Sequence, residues 1–205
     1  MSFLSKLAVL ASGNGSNLQV ILDQTRSGQI PAEVVIVISD KKDAYSLKRA
    51  EKLGVEHLFL SSKSYPSRES YDEALVNILH KKKVDWVVLA GFMRILSSTF
   101  VRPFLGKILN IHPSLLPQYP GLNAIERTFR DGKKLTGVTI HFVDEGVDTG
   151  PIILQETIAI HPQESLENLT ERVHELEHRL YPQALCLVLQ GKICFKRGEI
   201  KRGVK

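Results

Sequence analysis

The chain has 205 residues, 43% hydrophobic and 24% charged, with a formal net charge of +5. That is an ordinary globular balance, and at very roughly 150 residues per domain it fits one well-filled domain. No Pro/Ser tract, like-charge block or solenoid repeat interrupts it, and no apolar run approaches the ~20 residues of a membrane span.

The first segment, "MSFLSKLAVLASGNG", carries one Lys and an apolar run too short for a secretory core. Cys186 and Cys194 match neither a CxxC pair nor a disulfide framework, so reduced thiols in a cytoplasmic protein are expected. Much of the positive charge sits in the tail "KRGEIKRGVK", read as a solvated end. Without an Arg-rich helix or a basic stripe interleaved with aromatics, small anionic substrates suit the charge better than nucleic acid.

In chain order, "LAVLAS" (7–12) is a continuous, β-prone run, and "NLQVILDQTRSG" (17–28) puts Leu18, Ile21 and Leu22 on one helical face. "AEVVIVIS" (32–39) is a second buried strand, followed by a helical "AYSLKRAEKLG" that stops at Gly54. "EHLFL" is a short strand before "SRESYDEALVNILHKKK", whose Tyr71, Leu75, Ile78 and Leu79 form a helical stripe. "VDWVVLAG" and "KILNI" are two further apolar strands. Strands bare of polar alternation must be covered on both faces, which implies a parallel sheet built from βαβ units. From Thr136 the runs "TGVTIHFV" and "GPIILQETIAI" alternate more and suit antiparallel pairing. A helix from Ser165 to about Leu189 closes the chain, with Ser165 as cap and Glu167 in its first turn. The expected fold is α/β, a doubly wound, mostly parallel, Rossmann-like sheet with an antiparallel C-terminal addition and a long closing helix.

Such folds bind ligands beyond the carboxyl ends of their strands. "SGNGSNL" (12–18) occupies such an end and opens a helix, so its glycines and first amides suit either a plain strand-to-helix turn or a phosphate cradle. It is not a Walker loop and lacks the third glycine of GxGxxG. At the end of "KILNI", Asn110 and His112 are two residues apart and leave the same face. A rim histidine is one reading. Prolines 113, 117 and 120 stiffen the following loop, however, and the acidic loop "DEGVDTGP" (144–151) follows downstream. One of its carboxylates, from Asp144, Glu145 or Asp148, would then raise the His112 pKa and make it a general acid. No spacing fits a metal site, and no nucleophile motif is present, so the attacking group must belong to a substrate or to water. "AGFMRILS" (90–97) reads as core, or as a wall for a flat aromatic ligand.

Taken together, "SGNGSNL", "LAGFMRIL", "NIHPSLLPQYPG", "GVTIHFVDEGVDTGP" and "EHRLYP" resemble the phosphoribosylglycinamide formyltransferase family, in order and over nearly the whole chain. The resemblance implies a single formyltransferase domain over 1–205, with a phosphate-binding half to about 105 and a folate and catalytic half beyond. It implies transfer of a formyl group from 10-formyltetrahydrofolate to phosphoribosylglycinamide, an intermediate of purine biosynthesis, without a metal. Asn110, His112 and Asp148 match the family's catalytic trio, with His141 supporting. Gly15, Ser16 and Asn17, and the helical residues His174, Glu175, Leu176 and Glu177, match its ribotide contacts. Arg68, Met93, Arg94, Ile95, Leu96 and Asn110, with Asp144, Glu145, Gly146, Val147 and Asp148, match its folate pocket. His174 stands where the family varies and is sometimes basic, and Asp40 replaces an expected Asn, with no consequence read for the site. Monomer and homodimer both remain open. A formyltetrahydrofolate hydrolase would use the same trio but needs no phosphate loop. The tRNA-directed formyltransferases carry a further C-terminal domain. A nucleotide-binding module without catalysis would not need the trio.

Overall fold

A computed structural model describes residues 4–196 and 199–203, so the start of the N-terminal stretch and parts of the basic tail lie outside the described residues. The chain runs β1 (Ser5–Leu10), α1 (Ser16–Arg26), β2 (Ala32–Ser39), α2 (Tyr45–Lys52), β3 (His57–Phe59), α3 (Arg68–Lys81) and β4 (Trp86–Leu89). It continues through α4 (Ser98–Val101), β5 (Ile108–His112), α5 (Ala124–Arg130), β6 (Leu135–Phe142), β7 (Ile152–Ala159), α6 (Leu166–Leu189), β8 (Ile193–Lys196) and β9 (Glu199–Arg202).

Seven strands form one sheet in the order β3-β2-β1-β4-β5-β6-β7. The strands from β3 to β5 pair in parallel, and β6 and β7 join antiparallel. The apolar runs account for this. Side chains alternate between faces, so β1 sends Leu7 and Val9 into one core and Ala8 and Leu10 into the other. Leu18 and Ile21 of α1 and Leu180, Ala184 and Leu185 of α6 cover the first core. Tyr71 and Leu75 of α3 and Phe100 of α4 cover the second. A strand with no solvated face has no use for polar alternation, which is why β1, β2 and β4 read as largely apolar runs, and β5 does so apart from Asn110 and His112.

Helix α6 begins as its sequence requires. The Ser165 hydroxyl accepts from the Asn168 amide, and Glu167 sits in the first turn. Part of the tail is paired as well as solvated: residues 199–202 pair antiparallel with β8 as a two-stranded hairpin, while Glu199, Lys201 and Arg202 stay exposed. Phe195 anchors that hairpin by packing on Gly106, where a Cβ would lie 2.8 Å from its ring. Short α4 and α5 carry little apolar periodicity and are not foreseen by the sequence reading.

The chain moves outward from β1 to β2 and β3, then crosses back to β4 on the other side. The order therefore reverses between β1 and β4, which places the loops after β1, β4 and β5 around one crevice. Deep under it, the buried Tyr181 hydroxyl shares its hydrogen between the carbonyls of Leu89 (2.9 Å) and Leu109 (3.0 Å), pinning α6 to the ends of β4 and β5. Tyr181→Phe keeps the ring but leaves these carbonyls without that donor. Urea unfolding should show a loss of about 1–2 kcal/mol.

Candidate active site

Strand β5 delivers Asn110 and His112, and its antiparallel register with β6 sets His141 directly opposite Asn110. The loop after β6 then folds back. At Gly150 a Cβ would meet the Phe142 carbonyl at 1.8 Å, so only glycine permits the close approach that returns Asp148 to the strand end. Asp148 itself adopts φ 54, in the left-handed region.

Its carboxylate gathers the cluster. Oδ2 lies 3.3 Å from His112 Nδ1 and accepts the Gly121 amide at 2.8 Å. Oδ1 accepts from Asn110 Nδ2 at 3.3 Å and stands 3.5 Å from His141 Nε2. His141 donates through Nδ1 to the Phe142 carbonyl (2.8 Å), and its Nε2 stands 3.1 Å from Asn110 Nδ2. The Tyr119 carbonyl accepts from His112 Nε2 at 2.8 Å.

Burial works against the Asp148 anion, but His141, the Gly121 amide and His112 hold its pKa down at about 2. For His112 the direction is opposite to the sequence expectation. Burial lowers its pKa, and the pull of Asp148 and the Tyr119 carbonyl does not overcome this. Asp148 still pulls the pKa upward, but for a ring only 5% exposed the loss of solvation is the larger effect.

The three acidic residues of the loop have separate places. Asp144 braces the loop, accepting from the Gly146 amide (3.0 Å) and the Thr149 hydroxyl (2.7 Å). Glu145 pairs with Arg102 at 2.8 Å and does not line the cavity. Only Asp148 faces the histidines.

A cavity of about 540 Å³ opens over the cluster, drawing on both halves of the chain. Asn110, His112, His141 and Asp148 lie in it with Asp144, Gly146 and Val147, and Arg68 and residues 93–96 form the opposite wall. Met93 and Ile95 expose large apolar side chains there (61% and 57%), whereas Leu96 is mostly buried. Arg94 donates to the Ser62 hydroxyl at 2.8 Å, with its guanidinium 4.9 Å from the Tyr71 ring centre. Gly121, Leu122 and Asn123 also line the cavity and escape the sequence reading. Their signal was present in the turn residues of "YPGLN", but only the fold brings that turn across the site.

Gly15, Ser16 and Asn17 do not line this cavity. They open α1 at the neighbouring strand end. Gly15 has φ 75, and a Cβ there would come within 2.8 Å of Ser46, so the loop needs glycine for both conformation and space. Arg49 straps it through the Asn14 carbonyl (2.9 Å) and side-chain oxygen (2.6 Å). Asn17 Nδ2 donates to Glu177 Oε2 at 2.9 Å, while the buried Asn17 Oδ1 has no partner. His174 and Glu175 are exposed near this end, and Leu176 is a core side chain. Burial raises the Glu177 pKa to about 7, with the Asn17 amide pulling the other way. Among the described residues no three His, Cys, Asp or Glu side chains cluster to hold a metal. No helix among them is long and apolar enough to cross a membrane.

A buried imidazole, amide and carboxylate beneath a half-apolar cavity, beside a glycine loop and with no side-chain nucleophile, define a group-transfer site. Residues 5–185 match the formyl transferase family. More narrowly, the chain belongs to the phosphoribosylglycinamide formyltransferase family. It is 43% identical to phosphoribosylglycinamide formyltransferase of Haemophilus influenzae, over 94% of this chain and 91% of that one. Glycinamide ribonucleotide transformylase 1 from Symbiobacterium toebii superposes with a TM-score of 0.94 at 44% identity, over 97% of this chain and 94% of that one. The chain is also 48% identical, over 91% of its length, to the trifunctional purine biosynthetic protein adenosine-3 of Drosophila melanogaster, but spans only 14% of it.

Glu177 supplies a pH test. Its folded pKa lies above the ordinary 4.5, so folding is favoured while the group is protonated and penalised as pH rises through about 7. Glu177→Gln keeps the acceptor for Asn17 without the charge. Above pH 7 urea unfolding should find the variant more stable by up to about 3 kcal/mol, a gain that shrinks towards pH 4.5.

Proposed function

We propose that the chain transfers the formyl group of 10-formyltetrahydrofolate to the amine of 5-phosphoribosylglycinamide. The observation that carries this reading is the convergence of Asn110, His112 and Asp148 on one cavity, beside a helix start shaped for a phosphate. The ribotide phosphate would sit on the amides of Gly15, Ser16 and Asn17, where the α1 dipole adds to their donors. Glu177, held by Asn17, would meet the ribose and glycinamide portion. The pterin would lie against Met93, Ile95 and Val147, with Arg68 at the mouth for an anionic tail.

The glycinamide nitrogen attacks the formyl carbon, the new C–N bond forms, and the carbonyl electron pair moves onto oxygen. Asn110 and protonated His112 stabilise that oxyanion. Collapse restores the carbonyl, breaks the bond to folate N10, and passes a proton from the former amine to N10 through His112 and a water held by Asp148. Both ring nitrogens of His112 are partnered in the structure. The charge-assisted contact to Asp148 is the stronger, so substrate would displace the neutral Tyr119 carbonyl. Asn110 would likewise turn one amide hydrogen from Asp148 to the formyl oxygen.

Removal of an oxyanion donor in Asn110→Ala should lower kcat by about 10²- to 10³-fold. Loss of the proton carrier in His112→Ala, or of its partner in Asp148→Asn, should cost about 10²- to 10⁴-fold. The assay follows folate absorbance after addition of ribotide to folded, ligand-competent protein. Near wild-type turnover in His112→Ala or Asp148→Asn would reject the assignment. Formate release without ribotide would turn the reading towards hydrolysis.

A further inference from the structure

The glycine loop and the cavity wall meet at the reversal of strand order, and a single serine joins them. The Ser12 amide donates to the Gly91 carbonyl at 2.9 Å. Its hydroxyl donates to Asp40 Oδ1 at 2.6 Å and accepts the Met93 amide, 81 positions away, at 2.9 Å. The directions follow from the Met93 amide, which can only donate to the hydroxyl oxygen and so leaves the hydroxyl hydrogen for Asp40. Ser12 and Asp40 are each 9% exposed, so water competes poorly for these bonds. Asp40 accepts from the Ser12 hydroxyl, a role the expected Asn could also fill, and so orients that hydroxyl to receive Met93.

On one side of this junction, residues 91–96 have no regular secondary structure. Their path depends on a few bonds, from Met93 to Ser12, from Arg94 to Ser62 and from Ser97 to the buried Asp72. On the other side, Ser12 leads directly into the loop of Gly15, which is clamped by the Ser46 amide on the Gly13 carbonyl (3.1 Å) and by Arg49.

We propose that Ser12 is a positioning residue that couples the two substrate subsites, so that ribotide on the glycine loop tightens folate binding against the 91–96 wall. This rests on the function proposed above. A phosphate bound to the amides after Gly15 immobilises the segment that begins at Ser12. An immobile Ser12 fixes the Met93 backbone, and with it the apolar wall that meets the pterin. By linkage the effect is reciprocal.

The test uses tetrahydrofolate, which has no formyl group to transfer, titrated calorimetrically with and without saturating phosphoribosylglycinamide. In the wild type, ribotide should tighten tetrahydrofolate binding by about fivefold or more, and in Ser12→Ala the ratio should fall to about one while each ligand alone still binds. Asp40→Asn, whose amide oxygen still accepts from Ser12, should keep the coupling, an effect a merely structural role would not produce. If Ser12→Ala does not fold, Asp40→Ala takes its place and should lose most of the ratio. A retained ratio in Ser12→Ala or its substitute, or binding of both ligands without coupling in the wild type, overturns the inference alone. A wild type that binds neither ligand overturns the functional reading and the inference with it.

Discussion

The site depends on keeping one carboxylate charged where water barely reaches. A buried anion is costly unless hydrogen-bond donors surround it. Asp148 meets that condition with the Gly121 amide, the Asn110 amide and His112. Two of these come from β5 and one from the stiffened loop after it, while the carboxylate itself arrives on the loop after β6. The carboxylate therefore ties its own loop to β5 and to the loop after β5, and the left-handed backbone at residue 148 is the local strain that brings it there. The same ionised group opposes, without overcoming, the burial that lowers the His112 pKa.

Around that centre the fold divides the work. Loops at strand ends carry the functional groups because only there can the backbone leave the ladder without stranding its amides in the core. The glycine loop follows β1, the apolar wall follows β4, and the acidic loop returns from β6. Reversal of strand order between β1 and β4 makes the first two neighbours, and the switch to antiparallel pairing at β6 brings the third beside β5. Under the proposed function, two substrates would be held edge to edge there, and their approach would supply much of the acceleration.

Much of this was legible along the chain. The largely apolar runs of β1, β2, β4 and β5 mark strands buried on both faces, and their boundaries fall within a few residues of those read. Asn110 and His112 show themselves by period alone, since two polar side chains on one face of a core strand require a reason. The helix-start chemistry of Ser165 is equally local. What was not legible involves pairing between distant segments. The hairpin at 193–202 is short and basic, with little alternation to mark it. The importance of Asp40 emerges only when β2 ends beside Ser12.

The sequence by itself determined the α/β class, the parallel core and the residue types at the strand ends, because periodicity and turn chemistry act between near neighbours. Only the tertiary structure decided which of three adjacent carboxylates serves the histidine and in which direction the imidazole pKa moves. It also decided which hydroxyl joins the two loops. Those outcomes depend on burial and on distances between groups remote in the chain, and desolvation outweighs a neighbouring charge only where the fold has already excluded water.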